Sequence, residues 1–74
     1  MQTTTRQQTI HTIANRVAAQ VSADLRHGVI ATDGAYDESY YAMRMQIKDA
    51  GVDLSEDHLV HYVRQVADLA IERA

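Results

Sequence analysis

Proline is absent from this chain of 74 residues, and its three glycines stand alone at Gly28, Gly34 and Gly51. Proline breaks a helix from within, whereas glycine most often closes one at its C-terminal end. With only glycine as strong punctuation, the chain divides into three pieces, 4–27, 35–50 and 55–73. Each piece carries apolar residues at helical spacing. The expected fold is therefore all-α, a three-helix bundle forming one domain over 1–74. No internal repeat or low-complexity segment competes with that reading.

The first piece places Ile10, Ile13, Ala14, Val17, Val21 and Leu25 on one stripe, and the Thr3-Thr4-Thr5 run suits its start. Gln7, Gln8, His11, Thr12, Asn15, Arg16, Gln20 and Ser22 fall on its polar side. Gly28 fits the left-handed position beyond a helix, with Val29 folding back on the last turn. Arg26 and His27 stand where the helix dipole favours a cation. The short Val29-Ile30-Ala31 segment has no second β-rich segment to pair with. It reads as a loop that tucks its side chains into the core.

In the second piece Tyr36, Tyr40, Met43, Ile47 and Ala50 define a buried stripe. Asp37 and Glu38 occupy the first turn, and Val52 can pack back on Ile47 after Gly51. The third piece has the clearest start. Ser55 is the N-cap, Glu56 and Asp57 follow it, and Leu54 and Leu59 hold the hydrophobic-staple positions. Its apolar residues, from Leu59 and Val60 to Ile71, span about 200° of the helix, against roughly 100° for an ordinary surface helix.

That width predicts more apolar surface than three helices can hide among themselves. Tyr41 and Met45 add to it, because they lie off the second helix's buried stripe. A chain this short buries only about 60% of the surface exposed when unfolded. Small domains usually compensate with disulfides, a metal or association. Cysteine is absent, so association is the remedy left. The expected contacts are Tyr41, Met45, Tyr62, Leu69 and Ile71, in a homodimer through the second and third helices.

Charge sharpens the picture. Net charge is −3, yet residues 1–32 carry +2, residues 33–57 carry −5 and the remainder cancel. Asp33, Asp37, Glu38, Asp49, Asp53, Glu56 and Asp57 make the middle acidic, which would steer the chain toward a protein with a basic surface. The N-terminus is polar, and no apolar run approaches the roughly 18 residues of a membrane span. The expectation is a soluble, cytoplasmic protein with no membrane contact.

Candidates for chemistry are weak. His58 and His61 stand three apart with Asp57 nearby, but His11 and His27 lie on another helix, and zinc wants three or four ligands. No nucleophile elbow or phosphate-cradling glycine loop is present. The carboxylate pairs Asp37-Glu38 and Glu56-Asp57 serve helix starts. The expectation is no enzyme, no cofactor and no metal. Three helices also suit helix-turn-helix DNA binding, with Arg6, Arg16 and Arg26 on phosphate as the alternative. Against it, the third helix opens Ser55-Glu56-Asp57-His58, whose carboxylates would repel phosphate. Nucleic acid is therefore not the expected partner.

The leading expectation is a small helical interaction module acting as an adaptor or inhibitor. In kind, it is similar to small accessory proteins of phages and other mobile elements, including anti-CRISPR inhibitors. That likeness is one of type and attaches to no stretch of the chain. It implies a protein that blocks a host complex, nucleic-acid-binding or CRISPR-type, through an acidic and apolar surface.

Overall fold

The structure, a computed structural model, describes residues 2–74, with side chains from Thr5 onward. Three helices run over Gln2–Arg26 (α1), Ala35–Asp49 (α2) and Glu56–Arg73 (α3), and a short 3-10 turn at Thr32–Gly34 leads into α2. Each helix packs against the other two in an all-α three-helix bundle with no strand among the described residues. The bundle is a rod of 40 × 19 × 18 Å. No helix of the described residues is long and apolar enough to cross a membrane.

The glycines end two helices as their positions predict. Gly28 adopts φ 72° and Gly51 φ 73°, a left-handed backbone that L side chains rarely take. After α1, Val29 N donates to Asp24 O and Gly28 N to Leu25 O, at 2.9 and 3.2 Å. After α2, Val52 N donates to Ile47 O and Gly51 N to Lys48 O, at 3.1 and 3.0 Å. Both are Schellman closures, and they satisfy carbonyls the helix would leave bare. They differ in their side chains. Val52 packs against the core, whereas Val29 is 68% exposed and does not fold back on α1.

Helix starts follow different chemistry. His58 N donates to Ser55 Oγ at 3.3 Å, so Ser55 caps α3, and Leu59 is buried with Leu54 packed against the core. The start of α2 has no side-chain cap, and only Asp37 and Glu38 in its first turn answer the dipole. The first helix begins at Gln2, earlier than the threonine run suggests. Thr5 is therefore inside it, with its carbonyl accepting from Thr9 Oγ1 at 3.0 Å. Any capping by the side chains of Thr3 and Thr4 lies outside the described residues.

The core confirms the first stripe and rotates the second. Ile10, Ile13, Val17 and Val21 are buried, with Ala14 and Leu25 packed against them. Ala18 and Ser22 are buried too, so Ser22 does not belong to the polar side. On α2 the buried row is Ala35, Ser39, Met43 and Ile47, at steps of four. Tyr36 and Ala50 are exposed and Tyr40 is only half-buried. Met43 and Ile47 are buried as expected, but toward the start of α2 the small side chains of Ala35 and Ser39 take the inner places that the rings of Tyr36 and Tyr40 suggest. Helix separation depends on the side chains at the contact, so small ones let α2 lie close to its neighbours. Of the 29–31 loop only Ile30 reaches the core, while Val29 and Ala31 face water.

Candidate functional site

Tyr41 and Met45 are each 65% exposed, the most open large apolar side chains on any helix. The reason is local. At about 100° per residue, a core row at 35, 39, 43 and 47 turns positions 41 and 45 to the opposite side of α2. Asp37 and Lys48, both exposed, lie on the same outward row, which therefore reads Asp37, Tyr41, Met45, Lys48 at steps of 4, 4 and 3. Arg44 and Asp49, also exposed, flank it. The Tyr41 ring meets the Tyr40 ring edge-on at 5.7 Å, which limits where it can swing.

The other predicted apolar contacts fare differently. Tyr62 and Leu69 pack against the core and close the seam between α1 and α3, where the Tyr62 ring stands edge-on to His11 at 6.4 Å. Val60 is half-buried as well. The wide apolar face of α3 is thus largely absorbed by its two neighbours. Ile71, 41% exposed, lies at the end of the rod beside Leu25 and Ile30. What remains as a helix-borne apolar pair is Tyr41 with Met45.

The acidic residues fall into two groups at opposite ends of α2, a helix of 15 residues. Its length of roughly 22 Å separates them. Asp33, Asp37 and Glu38 lie at its start, and Asp49, Asp53, Glu56 and Asp57 lie at its end and beyond. Two of them are engaged within the chain. Glu56 accepts a hydrogen bond from the Tyr40 hydroxyl at 2.5 Å, which pushes the Tyr40 pKa up because the phenol is held as a donor. Glu38 is half-buried, and its Oε2 is covered with no hydrogen-bond partner. Burial raises the Glu38 pKa above its ordinary value, and the nearness of Asp24 on α1 raises it further. Glu38 therefore belongs to the α1–α2 seam more than to an open acidic face.

The remaining candidates are also placed. Among the described residues no group of three or more His, Asp or Glu side chains comes together to hold a metal ion. His58 is exposed, and His61 shares a hydrogen bond with Gln65 at 3.3 Å. Arg6 donates to the carbonyl of Asp53, and Arg16 to Gln46 Oε1 at 3.3 Å, so two of the arginines offered to phosphate tie α1 to the last turn of α2 and to the loop that follows it. An open groove of about 490 Å³ lies between α1 and α2, lined by Gln8, Thr12, Arg16, Gln46 and Asp49 among others.

Comparison of the chain with protein-family models, curated proteins and solved structures finds no match. The functional reading accordingly rests on the surfaces just described.

The outward row is half legible. Tyr41 and Met45 are identifiable as lying off the buried stripe. Asp37 and Lys48 as its ends are not, because the tyrosines suggest a phase for α2 that its core row does not follow. The 4-4-4 row of Ala35, Ser39, Met43 and Ile47 is the signal that corrects it.

Proposed function

We propose that the chain is a small protein-interaction module, an adaptor or inhibitor, that docks through the outward row of α2. The observation that carries this reading is the exposure of Tyr41 and Met45 on a helix whose opposite side is in the core. Fully burying a large apolar side chain is worth about 1.5–3 kcal/mol, so this pair alone rewards a partner that covers it. Tyrosine and methionine suit the task. One offers a rigid ring with a polar tip, and the other a flexible, polarizable chain that adapts to an irregular surface. Asp37 and Lys48 stand at either end of the pair and would favour a partner whose rim carries one basic and one acidic group.

The test is a photo-crosslinking amino acid placed at Tyr41 in cells that make the protein. The same amino acid at Gln20, exposed on α1, is the comparison. A discrete protein adduct from position 41 and none from position 20 is the expected result. Equal labelling at both, or no adduct at 41, removes the reading.

A further inference from the structure

Granting that the outward row of α2 is the docking surface, we infer that its occupant is a second copy of this chain, laid antiparallel across a two-fold axis. The row is self-complementary. In a two-fold contact, residue i meets residue j of the partner and j meets i. Tyr41 and Met45 are centred on position 43, and Asp37 and Lys48 are centred within half a residue of it. One axis at that point therefore sets Tyr41 of each copy on Met45 of the other. It also sets Asp37 of each copy near Lys48 of the other. The apolar pair fills the middle, and the two opposite charges close both ends. A parallel arrangement would instead place Asp37 on Asp37 and Lys48 on Lys48, and like charges face to face oppose association.

Charge also separates this occupant from a generic basic partner. The row itself is neutral, one Asp against one Lys, and only its own reversed image matches both ends at once. Each copy contributes a single helix of 15 residues to the contact. An area that small belongs to the weak, reversible class of interfaces, below roughly 1,200 Å². The dimer is accordingly a dynamic one, populated at high concentration and lost on dilution.

Sedimentation velocity on the purified chain tests this, over concentrations from about 5 to 500 µM, a range suited to weak complexes. The wild type should shift from monomer to dimer across that range, and Tyr41→Glu should stay monomeric. Asp37→Lys and Lys48→Asp should each weaken the dimer roughly tenfold, since each replaces two attractive pairs by two repulsive ones. The double swap, Asp37→Lys with Lys48→Asp, should return to within a few-fold of wild type.

That rescue cannot come from within one chain, because the two positions lie eleven residues apart on the same helix. Helical circular dichroism on every variant separates loss of the contact from loss of the fold. A wild type monomeric at the highest concentration overturns the inference. So does a double swap no better than its singles at preserved helicity. If the monomer still crosslinks through position 41 to a different protein, the second copy is wrong while the interaction module stands. If nothing crosslinks at 41 and no dimer forms, both fall.

Discussion

The two ends of the rod are packed on different plans. Toward the α1–α2 crossing, small residues predominate among the buried positions, with Ala18 and Ser22 beside Val21 on α1, Ala35 and Ser39 on α2, and Ala67 and Ala70 beside Val66 on α3. Toward the α2–α3 crossing they hold Ile10 and Ile13, Met43 and Ile47, and Leu59 and Val63. Small side chains at one end let backbones approach, and larger ones at the other fill the space between them. The first gains close contact at the expense of apolar area, and the second gains area. The lesson is that burial alone does not say what a position tolerates. Fully buried sites at the two ends should fail in opposite directions.

The paired test is the largest effect. Met43→Ala, at the wide end, should cost about 2–5 kcal/mol by leaving a cavity. A chain of this length has a total stability of roughly 4–11 kcal/mol, so much of the fold would be at risk. Ala70→Leu, at the narrow end, should cost about 1–3 kcal/mol by forcing backbones apart. Urea denaturation reads both. The comparison breaks if Ala70→Leu is neutral or stabilising, for then the narrow end has room to spare.

A smaller change sharpens it from the other side. Ser39 is fully buried at the narrow end, and its Oγ finds no hydrogen-bond partner. Replacing Ser39 by Ala keeps the size and removes the orphaned hydroxyl, so stability should rise by about 1 kcal/mol. Thermal melting should move up by about 4–8 °C in a domain of this size. A drop would mean that the hydroxyl is answered by a group that the static structure does not display.

Glu38 gives the smallest effect and the only one tied to pH. Its folded pKa is raised above the ordinary 4.5, by burial first and Asp24 next. A raised acid contributes stability that is fully present below the unfolded pKa and lost as pH rises through the folded one. The bundle should therefore be more stable at mildly acidic pH than at neutrality with respect to this group. Glu38→Gln should remove that slope and raise neutral-pH stability by about 0.5 kcal/mol, since the carboxyl is only half-buried and screened. Melting curves from pH 4 to 8 on both proteins (a range chosen to span the shifted carboxyl) would show the difference between variant and wild type widening in the variant's favour on the way up.

Legibility in the sequence tracks what each signal measures. Gly28, Gly51 and Ser55 act through backbone chemistry that depends on few neighbours, and all three helices end or start where those residues indicate. The sequence suggests another phase for α2 because the large rings of Tyr36 and Tyr40 offer more apolar area than Ala35 and Ser39, whereas at that end the inner places are chosen by size. Ser22 was placed outside for the same reason. The surplus on α3 looked larger than it is because Val60, Tyr62 and Leu69 fill its two flanks, and a flank depends on where neighbouring helices sit. Glu38 read as one more surface acid because nothing local announces that Asp24 will stand across from it. Tyr41 and Met45 were readable since they lie opposite the core under either phase.

The crossing between α1 and α2 is held by one side chain. Ile30 alone is anchored, while Val29, Ala31, Thr32 and Asp33 stand in water. Lengthening a loop costs little once its ends are fixed, about 0.6 kcal/mol per doubling. Foreign sequence spliced in after Ala31 would leave Ile30 seated and both α-helices in place, at the loss of the hydrogen bond from Gly34 N to Ala31 O that closes the 3-10 turn. The segment is thus a natural port for a fused reporter, set at one tip of the rod, with Tyr41 and Met45 further along α2.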